Sequence, residues 1–287
     1  MKYSNLAPLT APLTRIQPLV SVCIPAYRCA AHIGATIDSV LAQTFSDFEL
    51  VIIDDASPDR TAEVVASYSD RRIRFLRNDV NLGPQGNWNR CLREARGTYF
   101  KLLPQDDTLA PACLATQVAP LEADVNLEIA LVFCARSIIN PAGKRIMSRG
   151  YPGAAGRVSG REAIRRSLRR GTNLFGEPGS VLFRKALADK VGEFDGSIGY
   201  VIDLDYWVRL LLEGDGFYVD EPLVSFRISG ESWSVAIGKG QTAAYSAFIG
   251  RVANLPGSGL TGMDAALGKL MAPVNTVARL LIYQALL

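Results

Sequence analysis

The sequence predicts an α/β protein: a mostly parallel, doubly wound sheet flanked by helices, with a helical C-terminal tail. Three observations carry this. Short apolar, β-branched runs alternate with helical patterns as far as residue 107, the signature of a parallel sheet. Polar clusters, Tyr27-Arg28, Asp54-Asp55 and Gln105-Asp106-Asp107, stand at the carboxyl ends of three such runs, where open α/β sheets bind ligands. With 48% hydrophobic residues among 287, the chain can bury a sizeable core, as one large domain or two small ones.

Leu19 to Ile24, bounded by Pro18 and Pro25, reads as a buried parallel strand. A helix follows from about Ala31 to Gln43, with Ile33, Ile37, Val40 and Leu41 on one face. Phe48 to Ile53 is the second strand and runs into Asp54-Asp55. Ser57 and Pro58 suit the N-cap and first position of a helix to about Tyr68. Ile73 to Leu76 is the third strand, Asn78 to Asn87 a loop, and Trp88 to Ala95 a helix ended by Gly97. Tyr99 to Leu103 is the fourth strand. The second half is less regular: a helix over Ala110 to Ala123, a strand over Ile129 to Cys134, and a Gly-rich loop from Arg149 to Gly160. The capping-box pattern Ser159-x-x-Glu162 opens a basic helix to Arg170, with Arg161, Arg165 and Arg169 on one face. That face is either solvated or turned to phosphates or a membrane surface. A strand over Gly179 to Phe183, a helix over Lys185 to Lys190, a helix from Val201 to Leu210 and short strands at Phe217 to Val219 and Val224 to Arg227 complete the pattern.

Composition removes several function classes. A net charge of +3, without aromatics among basic runs, does not argue for nucleic acid. Five cysteines without a CxxC pair favour a reducing compartment. His32 is the only histidine, which leaves zinc and Ser-His or Cys-His chemistry little to work with. Acid-base work then falls to carboxylates. Residues 1–18 read as a loose leader, and no uninterrupted apolar run reaches the ~18–20 residues of a spanning helix. The apolar tail from Val274 to Leu287 fits a core or oligomer helix and a peripheral membrane helix equally.

Two adjacent carboxylates after a buried strand, Asp106 and Asp107, are costly to keep ionised without a cation. Hard oxygen ligands with open positions suit Mg²⁺ or Mn²⁺ gripping a diphosphate. An isolated Asp-Asp is more often a polar turn. Two such pairs and an aromatic, all at strand ends, are less readily produced by chance. Neither Gly-x-Gly-x-x-Gly nor a P-loop follows the first strand, which disfavours dinucleotide and P-loop NTP binding.

The segments PLVSVCIPAYR, TFSDFELVIIDDASPDRT, NLGPQGNWNRCLREARGTYFKLLPQDD and VGEFDGSIGYVIDLDYWVRLL together resemble the family 2 glycosyltransferases of GT-A, Rossmann-like fold. The resemblance spans residues 18–230. It implies a transferase domain over 19–232, with a nucleotide-binding half (19–109) and an acceptor and catalytic half (110–232), then a helical extension over 233–287. It implies a UDP- or dTDP-sugar donor, Mn²⁺ or Mg²⁺, inversion at the anomeric carbon, and a glycan or lipid-linked acceptor in bacterial polysaccharide assembly. The corresponding location is cytoplasmic, including the inner face of the membrane; homo-oligomerisation is open. By position, Pro25, Tyr27 and Arg28 belong to the nucleotide pocket, and Asp55 to the base, with Asp54 in support or near the ribose. Asp106 would face the ribose or donor sugar, Asp107 would ligate the metal, Asp203 would be the general base, and Arg227 would lie near the diphosphate. Asp205 is the weaker base candidate.

Three residues depart from the family pattern: Gln105 opens the DxD triplet, Ile202 replaces the Glu before the base, and Ser229 stands where many members carry His. They are the best support for a degenerate, non-catalytic nucleotide-binding scaffold. A sugar-phosphate nucleotidyltransferase would want a Gly-rich, Lys-containing loop after strand one, and Pro25-Ala26-Tyr27-Arg28 is not that.

Overall fold

The computed structural model describes residues 17–230, 235 and 237–286, with side chains to residue 284. The first half follows the expected alternation. Strands β1 (Val20–Ala26), β2 (Phe48–Asp54), β3 (Ile73–Arg77) and β4 (Tyr99–Leu102) are joined by helices α1 (Ile33–Leu41), α2 (Thr61–Ala66) and α3 (Gly83–Glu94). They lie in the order β3-β2-β1-β4, all parallel. Alternation along β1 and β2 sends Val22, Ile24, Leu50 and Ile52 into one core and Cys23, Val51 and Ile53 into the other. Gly97 passes so close to β1 that a Cβ would lie 2.5 Å from the Ser21 amide nitrogen.

The second half makes the sheet mixed. It contributes β5 (Thr108–Leu109), α4 (Cys113–Ala123), β6 (Ile129–Ile139), β7 (Arg145–Arg149), β8 (Gly156–Val158), α5 (Gly160–Arg169), β9 (Val181–Arg184), α6 (Ala188–Val191), α7 (Ile202–Glu213), β10 (Asp215–Arg227), α8 (Gly240–Ala253) and α9 (Gly262–Leu286). The sheet continues β4-β9-β6-β10-β5, with β9 antiparallel to both β4 and β6. The α/β class expected from the sequence stands.

Several boundaries differ, each for a local reason. Ser57 does not cap α2: its hydroxyl accepts the Arg28 N–H at 3.0 Å, and the helix begins at Thr61. α3 begins at Gly83, inside the expected loop, because Asp55 accepts the N–H groups of Leu82 and Gly83. The two expected strands near the end of this half are one bulged strand, β10, paired along β6. β6 itself runs five residues past Cys134, and the Gly-rich loop contains β8.

The basic face of α5 stays largely exposed and is tied to the C-terminal helix through two of its arginines. Arg169 and Arg165 reach Asp264 of α9 at 2.9 and 3.6 Å. The C-terminal helices share the core of the second half through Tyr245, Phe248, Ile249, Val252 and Ala272. Two glycines let α5 and α9 touch backbone to backbone. A Cβ on Gly268 would lie 2.3 Å from the Leu168 carbonyl oxygen, and one on Gly171 (φ +61°) 2.6 Å from the Ala272 nitrogen.

Although no uninterrupted apolar run was expected to span a bilayer, Gly262–Gln284 is long and apolar enough by length and composition. Asp264, Lys269 and Arg279 interrupt it in the sequence. Its outward face carries Met263, Leu267, Leu270, Met271, Val274, Val277 and Leu281, all exposed.

Candidate active site

One cavity of about 1100 Å³ opens at the carboxyl ends of the parallel strands and runs between the two halves. Its lining brings together Pro25, Tyr27, Arg28, Asp55, Asp106, Asp203 and Arg227. Asp106 and Asp203, 97 positions apart in the chain, thus face one space because β4 ends and α7 begins beside it.

On the β1 side, Tyr27 is 39% exposed, leaving a ring free to stack. Its backbone is clamped by Gln105, which accepts the Tyr27 N–H at 2.5 Å and donates to the Tyr27 carbonyl at 3.0 Å. The neutral first residue of the triplet therefore ties β1 to β4. Asp55 is 2% exposed at the cavity wall; it accepts from Asn78 at 2.5 Å, Leu82 at 2.8 Å and Gly83 at 3.0 Å.

Two expected site residues do not reach the cavity. Asp54, set beside Asp55 by the sequence, is fully buried and ion-paired with Arg77 at 3.2 Å, and it is not in the lining. Period-two alternation turns it away from its neighbour. Asp107, expected at the metal, is likewise fully buried and outside the lining. Its Oδ1 accepts the Arg227 N–H at 3.0 Å. Burial, then the Asp106 charge, push its carboxyl well above the ordinary range. The carboxylate that does face the cavity is Asp106. Burial raises its pKa, and the charges of His32 and Arg227 lower it.

Asp106 fits a divalent cation whose remaining ligands come from a diphosphate and water, the usual arrangement for Mg²⁺. Among the described residues there is no group of three His, Cys, Asp or Glu that would make an all-protein cage. Arg227 is buried beside it, its Nε donating to the Asp106 carbonyl at 3.1 Å and its Nη1 to the Pro141 carbonyl at 2.7 Å.

Across the cavity, Asp203 sits in the first turn of α7. Its Oδ1 accepts the Leu204 N–H at 2.7 Å and its Oδ2 accepts from Asn173 at 3.2 Å. Burial raises its carboxyl to about 7, and the Glu177 charge adds to the shift. Asp205 is different: it is buried and paired with Arg209 at 2.8 Å. Ile202 occupies the position before Asp203, while Glu177 enters the cavity from another segment, ion-paired with Arg136 at 2.5 Å.

Sequence reasoning missed Asn173, Glu177, Arg136 and Arg279. None lies in a motif. Asn173 shows only as a turn residue, and its Oδ1 accepts the Phe175 and Gly176 N–H groups at 2.9 and 3.1 Å.

The fold is shared with solved glycosyltransferases. TarS of S. aureus, in a complex with UDP-GlcNAc, superposes with a TM-score of 0.67 at 18% identity, over 90% of this chain and 72% of that one. The mannosyltransferase PcManGT of Pyrobaculum calidifontis, in complex with GDP-Man and Mn²⁺, gives 0.64 at 17% identity, over 94% and 76%. The fold is thus that of the GT-A glycosyltransferases. The family model for glycosyl transferase family 2 matches residues 21–192, and the chain belongs to that family.

The uncharacterized protein MT1568 of Mycobacterium tuberculosis is 33% identical over 215 residues, 72% of this chain and 66% of its own length. The chain thus spans just under two thirds of that relative. The Escherichia coli UDP-Glc:alpha-D-GlcNAc-diphosphoundecaprenol beta-1,3-glucosyltransferase WfaP is 35% identical over 106 residues, 37% of this chain and 42% of its own.

Proposed function

We propose that the protein is an inverting, metal-dependent glycosyltransferase that moves a sugar from a UDP- or dTDP-sugar to a hydroxyl of a glycan or lipid-linked acceptor. The observation that carries this reading is that Asp106 and Asp203 face one cavity from opposite halves of the fold. Asp106, rather than Asp107, takes the metal role in it. Tyr27 supplies a stacking face for the base. Asp55 closes the base pocket, and Arg227 adds positive charge at the diphosphate end.

A bound Mg²⁺ or Mn²⁺ would offset charge developing on the departing diphosphate. The rest falls to the chain. Asp203, with a pKa near 7, takes the acceptor hydroxyl proton as the oxygen attacks the anomeric carbon and the bond to the diphosphate breaks. A base poised near the working pH contributes ~10²–10⁴-fold. One displacement from the face opposite the leaving group inverts the anomeric centre. Asn173 holds the carboxylate in place.

The exposed stripe on α9, with Lys269 beside it and Arg161, Arg166, Arg169 and Arg170 exposed along α5, supports peripheral association with an anionic bilayer surface. A bacterial polysaccharide pathway on the inner face of the membrane is the matching context.

Calorimetric titration with UDP, dTDP, GDP and CMP, each with and without Mn²⁺, tests the donor. Metal-dependent binding of UDP or dTDP is expected. Preference for GDP would overturn the base assignment, and binding of none would favour the non-catalytic scaffold.

A further inference from the structure

The acceptor side of the cavity holds more positive charge than its carboxylates answer. Arg136 and Arg149 are direct partners across the β6–β7 ladder. Like charges so placed repel. Glu177 answers one of them, pairing with Arg136 at 2.5 Å. Arg149 lines the cavity and makes no ion pair or side-chain hydrogen bond among the described residues.

A third guanidinium, Arg279, enters from α9. Its Nε donates to Gln241 at 2.9 Å and its Nη1 to Thr172 at 3.2 Å, both neutral, and it lies over the Tyr200 ring at 5.7 Å. Its Nη2 is buried without a hydrogen-bond partner. A buried guanidinium nitrogen left unsatisfied is costly unless a ligand completes it. Burial and the nearby charge of Arg136 push the Arg149 pKa down, Glu177 opposes them in part, and Arg279 adds to the lowering.

We propose that Arg149 and Arg279 form a subsite for a phosphate or diphosphate group on the acceptor. This rests on the transferase reading for the word acceptor: both arginines line the cavity together with Asp203, the base that must meet the incoming hydroxyl, whereas Arg227 and Asp106 mark the donor end. Two unanswered guanidiniums match a group of charge about −2 better than a single carboxylate, and their forks suit phosphate oxygens. The phosphate can belong to a polyprenyl carrier or to a soluble phosphorylated glycan.

The test is calorimetric titration of the full chain with farnesyl diphosphate, inorganic pyrophosphate and farnesol, in EDTA to silence metal-dependent donor binding. Wild type is expected to bind a diphosphate, with R149Q and R279Q each weakening it at least tenfold and R149K weakening it less than R149Q. D106N should leave it within twofold. Tighter binding of farnesyl diphosphate than of pyrophosphate, by tenfold or more, assigns the lipid carrier; equal binding assigns a soluble phosphorylated acceptor. Absence of diphosphate binding, persistence within threefold in both glutamine variants, or loss in D106N overturns the proposal. UDP titrations with Mn²⁺ on the same proteins keep the two readings apart. UDP binding without diphosphate binding removes the subsite alone. Diphosphate binding through Arg149 and Arg279 without UDP binding removes the donor reading and leaves the anion site.

Discussion

The backbone N–H of Arg227 donates to Oδ1 of Asp107 at 3.0 Å, joining the end of β10 to the turn after β4 across 120 residues of chain. That bond holds one carboxylate oxygen of Asp107, whose Oδ2 is buried without a hydrogen-bond partner, while Asp106 lines the cavity. Asp106→Asn is expected to weaken Mn²⁺-dependent UDP binding at least tenfold. Asp107→Asn, which keeps an acceptor oxygen for Arg227, should leave that binding within about threefold. Titration of both variants checks the assignment; the reverse order would restore Asp107 as the ligand.

In the proposed transfer Asp203 would set the pH dependence. Its carboxyl is raised to about 7, and a base acts only when ionised. The rate at low acceptor concentration should fall tenfold per unit below about pH 7 and level off above it. Asp203→Asn should lower turnover by at least ~10²-fold with UDP affinity unchanged. Stability moves the other way. Between about pH 4, where the unfolded carboxyl ionises, and 7, the folded state binds the extra proton, so this group's contribution declines as pH rises. Asp203→Asn should therefore melt higher than wild type at pH 8, by a margin that shrinks toward pH 4. Melting curves at the two pH values decide it.

Asn173 donates to the same carboxylate at 3.2 Å. Removing that donor withdraws a hydrogen bond from the charged form and raises the pKa further. Asn173→Ala is expected to lower turnover five- to fiftyfold and to move the acid limb of the pH profile upward. A rate loss with an unmoved limb would reduce Asn173 to a loop brace.

The stripe on α9 is exposed at Leu267, Leu270, Val274 and Val277. Leu270→Glu with Val277→Glu should abolish sedimentation with anionic phospholipid vesicles and leave UDP binding unchanged. Wild-type protein that ignores vesicles but runs as a dimer, with the double variant monomeric, would assign the stripe to a second copy.

The parallel half was legible because its strands are continuous apolar runs, Leu19 to Ile24 and Phe48 to Ile53 among them, and its polar residues fall at their ends. Which of two neighbouring acids faces the cavity was not legible. Asp54 and Asp55, like Asp106 and Asp107, differ only by the direction in which each side chain leaves the backbone, and that is fixed by Arg77 and Arg227 from elsewhere in the chain. Glu177 and Arg279 were invisible for a related reason. Each reaches the cavity from an element whose local pattern, a 3₁₀ turn's start and an apolar helix, says nothing about what it faces. Gln105, a departure on paper, is a structural clamp in space.

That clamp bears on how a nucleotide would be received. Gln105 fixes the shelf carrying Tyr27 to the residue next to Asp106 before any ligand arrives. The ring that would stack on the base and the carboxylate at the diphosphate end are held at a set span, like the jaws of a gauge. Ordering of these two elements is completed during folding, so little of a ligand's binding free energy is consumed in bringing them together. A nucleoside diphosphate of the right length would thereby be measured as well as bound.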